Sequence, residues 1–211
     1  MKKINFNFTK VILLLSCFSI FACSPSDTTT FESSDCNPCK MFVTATATQG
    51  NFGSASVADL ICTNDANKPN DGDTYKALIA YGNGSRRACT TANCVTGGKN
   101  ENVDWVLHAS TSYTRADGTA IATTDGAGII TSFPIANAVS TTASIEAWTG
   151  FTNATAWTSA ATDNCTNWTS TSSSNPPGGN TAIVNGTTSY GSVFAFAYTC
   201  NQTKRLICVQ Q

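Results

Sequence analysis

Residues 200–211 read CNQTKRLICVQQ. Cys200 and Cys208 flank a basic pair, Lys204-Arg205, and an apolar run, Leu206 to Val209. Lys204 to Gln210 has the composition of a strand, and Tyr190 to Tyr198 (YGSVFAFAY) predicts another just before it. A cysteine at each end of such a segment could serve a metal site, a loose tail or a stapled closing strand. The rest of the chain has to decide between them.

The first residues concern delivery. Lys2, Lys3 and Lys10 supply a positive region, and Val11 to Phe21 (VILLLSCFSIF) an unbroken apolar one. That run is about half of the roughly 20 residues a spanning helix needs, so it reads as a signal segment and not a membrane span. Ile20-Phe21-Ala22-Cys23 has the form of a bacterial lipobox, with cleavage expected before Cys23 and acylation of that cysteine. Residues 1–22 are then a lipoprotein signal peptide, residues 23–40 a lipidated flexible tether rich in Ser, Thr and Asp, and residues 41–211 one domain. Loss of residues 1–22 leaves 9 basic against 13 acidic residues. A mildly acidic surface of this kind excludes the basic stripe of a nucleic-acid binder and a polybasic membrane patch.

Of ten cysteines, Cys17 leaves with the signal and Cys23 takes lipid. Eight remain, and in an exported chain they imply up to four disulfides, with 105 pairings open. Along the chain, Met41 to Thr48 (MFVTATAT) alternates as a half-buried strand. Ser56 stands as an N-cap before Val57, Leu60 and Ile61, whose spacing marks one helical face beside Cys62. Thr74 to Tyr81 is a second ordered segment, and Cys89 and Cys94 bracket a tight loop. Strands are expected at Thr119 to Thr123, Ile129 to Ile135 and Ile145 to Phe151. Residues 152–189 form a long loop rich in Thr, Ser, Asn and Gly, broken at Pro176-Pro177-Gly178-Gly179.

A helix bearing a cysteine, then Trp148-Thr149-Gly150-Phe151, then Cys165, then Cys200 and Cys208 is an order that resembles C-type-lectin-like domains. The whole span from Met41 to Gln211, with MFVT, GNFG, ADLIC, DWVLHASTSYTRADGT, WTGF, DNCTNW and ICV in sequence, is similar to the leptospiral endostatin-like outer-membrane lipoproteins. The resemblance implies an α+β, C-type-lectin-like (endostatin-like) fold, mostly antiparallel strands with one or two short helices and long disulfide-pinned loops. It implies pairing of Cys62 with Cys208 and of Cys165 with Cys200, leaving Cys89 with Cys94 and Cys36 with Cys39 as local loops. On a chain-entropy estimate the two long links are worth about 5 and about 4 kcal/mol, against about 2 for the Cys89 loop. It also implies a lipid-anchored adhesin of the outer membrane, displayed at the cell surface. Its partners would be host extracellular-matrix or serum proteins: laminin, fibronectin, factor H or plasminogen. Two alternatives stay open, an envelope structural lipoprotein without a host ligand and a calcium-independent carbohydrate-binding lectin.

The residues offer little toward catalysis, and no enzyme activity, metal or cofactor is expected. Between Phe151 and Gln211 the only acid is Asp163, whereas calcium recruits several carboxylates. Cys36-Asn37-Pro38-Cys39 has the spacing of a redox or zinc half-site, but it lies in the tether, and zinc would need two more soft ligands. His108, the only histidine, has Ser110 and Ser112 nearby but no nucleophile elbow. The candidate ligand contacts are Arg86 and Arg87, the densest basic region, and Trp157 and Trp168, which serve equally well as loop core.

Overall fold

The computed structural model describes residues 36–143, 145–152, 156–176, 178–188 and 196–211. The expected signal peptide, Cys23 and residues 24–35 lie outside the described residues, as do residues 190–195 of the expected penultimate strand. The fold is mixed α and β with mostly strands. Its elements run β1 (Cys39–Val43), α1 (Ala55–Asn64), β2 (Tyr75–Ala77), β3 (Ser112–Arg115), β4 (Ala120–Thr123), β5 (Glu146–Trp148), α2 (Cys165–Trp168, one turn), β6 (Gly178–Ile183), β7 (Ala197–Thr199) and β8 (Ile207–Gln210). No described helix is long and apolar enough to cross a membrane.

Five strands form one sheet in the order β2-β8-β1-β3-β4, and three form a second, β5-β6-β7. β8 runs antiparallel to both β1 and β2, while β1 pairs parallel with β3. The adjacent strands β1 and β8 are buried on both faces, while β3 and β4 bury one face only. From β1, Met41 and Val43 enter one apolar cluster and Phe42 enters the other; from β8, Ile207 and Val209 enter the first and Cys208 the second. Side chains alternate across a strand, so a strand between two cores must be apolar at every position. The expected half-buried strand over Met41 to Thr48 is therefore corrected: β1 spans Cys39–Val43 and is buried almost throughout. Cys39 and Lys40, expected in the tether, belong to this sheet.

α1 packs on the Phe42 side, but not by the expected face. Ala58 and Cys62 are its buried residues, whereas Val57 is 42% and Leu60 56% exposed. Its rotation follows from two tethers stronger than apolar spacing. Cys62 is disulfide-bonded to Cys208, and Asp59 accepts the Ala77 N–H at 2.9 Å, tying the helix to β2. The residue at the N-cap is Ser54, not Ser56, and the two hydroxyls bond each other at 2.8 Å instead of capping the helix.

Arg205 carries the join between the two sheets. Its carbonyl accepts the Trp148 N–H at 2.9 Å, its N–H donates to Glu146 at 3.0 Å, and its guanidinium donates to the Thr44 and Ala45 carbonyls. Trp148-Thr149-Gly150-Phe151 then spans the two clusters, with Trp148 in one and Phe151 in the other. Gly150 has φ +69°, and a Cβ there would lie 2.6 Å from the Ala80 carbonyl oxygen, so glycine is required on both counts.

Two other expectations change. Ile129 to Ile135 is no strand; it is an irregular segment whose three isoleucines are buried while Thr131, Ser132 and Pro134 are exposed. Its Ile130 carbonyl accepts the Trp157 indole N–H, its Ile129 carbonyl accepts the Asp125 main-chain N–H, and just before it the Gly128 carbonyl accepts the Trp105 indole N–H. The expected break after Pro177 is instead β6, the centre of the second sheet. Its glycines mask it in the sequence but are needed there, because a Cβ on Gly179 would lie 2.5 Å from the Trp148 ring and 2.8 Å from Cys165 Sγ. Gly179→Ala is expected to cost about 1–3 kcal/mol, the range for overpacking a dense core. Urea denaturation should show a lowered midpoint with unchanged slope; an unchanged midpoint would contradict the packing described.

Candidate functional site

Folding removes three of the four candidate contacts from the surface. Arg86 is 1% exposed. Its Nη1 and Nη2 donate to the two oxygens of Asp59 at 2.7 and 2.8 Å. Nε and Nη2 donate to Asp104 Oδ2 at 2.9 and 2.5 Å, and Nη1 also reaches the Ala77 carbonyl at 3.1 Å. These contacts use all five N–H donors of a guanidinium, which leaves nothing for a ligand. Burial works against the charge of Asp104, but hydrogen bonds from Lys76 and Arg86 hold its carboxyl below the usual range. Arg87 is half-buried and braces its own loop, donating to the Glu101 and Gly84 carbonyls at 3.1 and 3.4 Å.

Trp157 and Trp168 are 1% and 0% exposed. Trp157 stacks edge-on against Phe151 and Trp105, while Trp168 lies against Phe52 and Trp148. Each indole N–H donates to a main-chain carbonyl at 2.9 Å, Ile130 for Trp157 and Ala80 for Trp168, so both serve the core. The eight cysteines among the described residues form four disulfides: Cys36–Cys39, Cys62–Cys208, Cys89–Cys94 and Cys165–Cys200.

What remains outward is the rim of the turn at α2, beside the Cys165–Cys200 disulfide. At α2, Cys165, Thr166, Asn167 and Trp168 all have φ between 51° and 61°, the left-handed region. Four consecutive non-glycine residues there are costly, roughly 1–2 kcal/mol each for an L-residue. The turn survives because its surroundings over-determine it. Trp168 is anchored inward, Cys165 is bonded to Cys200, and the Asn164 side chain accepts the Asn167 N–H at 2.8 Å. Such strain concentrates at ligand-contacting sites. Beside the turn lies a cleft of about 410 Å³ lined by Ala161, Thr162, Asn164, Thr166, Asn167 and Pro176. Its walls are mainly apolar, with the Thr162 and Thr166 hydroxyls and the Asn167 amide interspersed, and none of the residues lining it is charged.

A second polar surface lies where the two sheets join. Lys204 pairs with Glu146 and sits 3.5 Å over the Tyr198 ring. The Tyr198 hydroxyl donates to Glu146, and that hydrogen bond, with burial, pushes the phenol up to about 12. A neighbouring depression of about 280 Å³ is lined by Thr44, Asn67, Ser140, Thr142 and Arg205 among others. Sequence reasoning missed both surfaces. Lys204-Arg205 was visible as a basic pair, but Glu146 is brought to it only by the sheet-to-sheet bridge.

One further carboxylate is structural. Glu101 accepts from the Thr91 hydroxyl at 2.6 Å, from the Thr90 and Thr91 N–H groups at 2.7 Å, from the Thr90 hydroxyl at 2.9 Å and from the Gly97 N–H at 2.8 Å. The Thr91 hydroxyl leads these donors in holding the Glu101 carboxyl far below its ordinary range. It thereby orders the loop closed by Cys89–Cys94.

Residues 45–187 match the family described as a protein of unknown function (DUF1554). That span takes in everything from α1 to β6, including the cleft. No curated protein matches the chain.

Two variants check these assignments. Arg86→Ala strands the Asp59 and Asp104 carboxylates and should cost about 3 kcal/mol, the low end for breaking a buried pair because Asp104 is partly solvated; denaturant titration reads it. Glu101→Gln should melt below the wild type at pH 7. The Glu101 contribution is fully present above its unfolded pKa of about 4.3 and is lost as pH falls toward the depressed folded value. The gap in melting temperature should therefore close below about pH 4, and a gap constant with pH would contradict the role given to Glu101.

Proposed function

The chain belongs to the DUF1554 family, and we propose that it is a lipid-anchored binding module displayed at the outer surface of the cell. Its domain is C-type-lectin-like, as the resemblance to leptospiral endostatin-like lipoproteins implies. Its ligands are host extracellular-matrix or serum proteins, with laminin, fibronectin, factor H and plasminogen the classes that resemblance suggests. The observation that carries the reading is the strained α2 turn at the rim of the cleft. A disulfide and a buried tryptophan hold it in a conformation that four non-glycine residues would otherwise avoid. A scaffold that spends two long disulfides and all four tryptophans on fixing irregular segments is organised to present loops.

A second reading is favoured by the same cleft. Thr162, Thr166 and Asn167 offer neutral polar groups on a largely apolar wall with no carboxylate cluster, which suits a hydroxylated ligand bound without calcium. A glycan bound undiminished in the presence of chelator would favour it over a protein ligand.

The decisive test is a binding screen of the oxidised chain against matrix and serum proteins across salt concentrations. Saturable binding lost when the disulfides are reduced, and weakened by Thr166→Trp at the cleft, is the expected result. Weak binding erased by modest salt for every partner would overturn it. Protease treatment of intact cells checks the display: the domain should be removed, and its retention would favour a structural role facing inward.

A further inference from the structure

The Cys36-Asn37-Pro38-Cys39 segment has the ligand spacing of a zinc half-site, and the sequence alone gives it no neighbours. The fold supplies one. Donor atoms of Cys36, Cys39 and His108 all lie within 4.8 Å of one another. The arrangement follows from the register of the first sheet. Cys39 opens β1 opposite Tyr113 of β3, and the Tyr113 hydroxyl accepts the His108 N–H at 2.7 Å. The Asn37 side chain in turn accepts the Ser112 N–H at 3.2 Å. The strand pairing that seats Cys39 thus also places the loop carrying His108.

Chemistry is at present closed at this corner because the two sulfurs are bonded to each other. Of the four disulfides it is the one open to attack. Cys36 is half-buried, whereas the other seven cysteines are at most 3% exposed. It also closes the shortest loop, with a sequence separation of 3, so the chain-entropy benefit that protects it from reduction is the smallest.

We infer that Cys36, Cys39 and His108 form a latent soft-metal site, opened by reduction and suited to a zinc ion. A dithiol reductant attacks one sulfur and resolves the mixed disulfide with its second thiol. Two electrons and two protons pass to Cys36 and Cys39, and the reductant leaves as its disulfide. The metal then binds Sγ of Cys36, Sγ of Cys39 and one ring nitrogen of His108, displacing the two thiol protons to solvent, with water in the fourth position. Zinc–sulfur bonds of about 2.3 Å and zinc–nitrogen bonds of about 2.0 Å place tetrahedral donors roughly 3.4–3.8 Å apart. Donors already gathered within 4.8 Å reach that spacing by small side-chain rotations. Two thiolates with an imidazole favour zinc over calcium or magnesium. Because only the dithiol binds metal, zinc also draws the disulfide toward its reduced form.

The test uses the full oxidised chain, exposed to a limiting dithiol until alkylation and mass spectrometry mark Cys36 and Cys39 alone. Cobalt(II) then serves as a spectroscopic probe, followed by zinc competition. The expected result is tetrahedral cobalt–thiolate absorption saturating at a single equivalent, absent from the oxidised chain and lost on adding zinc. His108→Ala should weaken binding by about tenfold or more, and His108→Cys should restore it, which separates ligation from a folding defect. Three outcomes would overturn the inference: no cobalt–thiolate absorption from the selectively reduced chain, equal affinity in His108→Ala, or reduction of another disulfide before this one.

Discussion

The Cys62–Cys208 disulfide lies where every other constraint converges. Cys208 sits in β8, which is hydrogen-bonded to β1 on one side and β2 on the other, and its neighbours Ile207 and Val209 face the opposite cluster. Cys62 is the inward residue of α1. One bond therefore fixes the rotation of the helix, the registry of the central strand and the separation of helix from sheet. Asp59, three residues earlier on the same helix, repeats the tie electrostatically through Arg86. This explains why two exposed aliphatic residues are tolerated on α1: the helix does not depend on its apolar stripe for position.

The remaining architecture is held by side chains working where regular structure is missing. All four tryptophans donate to main-chain carbonyls of other segments: Trp105 to Gly128, Trp148 to Thr48, Trp157 to Ile130 and Trp168 to Ala80. A buried irregular segment carries carbonyls that no ladder satisfies. The indoles satisfy several of these while filling the volume around them. Trp157 and Trp168 are thus interior counterparts of the surface anchors their residue type suggests. Arg86 follows the same logic in a polar register, since its five donors join α1, β2 and the segment before β3.

Much of the fold was legible in the sequence because its signals were local or covalent. The helix at Cys62, the strand β4 inside Thr119 to Thr123, the strand before Gly150 and the closing strand all stand close to where spacing and composition put them. Failures came where tertiary demands override local preference. β6 was hidden because the need for Gly178 and Gly179 arises from Trp148 and Cys165, residues remote or unremarkable in the sequence. Ile129 to Ile135 has strand composition, but its backbone bonds go to the Asp125 turn, the Trp157 indole and Thr187 instead of a neighbouring strand. The candidate site shows the same split. Lys204-Arg205 and the cysteines were visible, whereas burial of Arg86 depends on Asp59 and Asp104, and the proximity of His108 to Cys36 and Cys39 depends on a parallel strand pairing.

The position of β1 bears on how the domain would carry mechanical load. Tension entering through the residues before Cys36 meets the domain at an interior strand flanked by β3 and β8, not at a peelable edge. To extract β1, both ladders must yield together. Beyond Phe42, whose register partner is Cys208, the load is shared with α1 through the disulfide. A domain held from that end resists pulling in shear, and its loops keep their arrangement while the polypeptide leading to them is under strain.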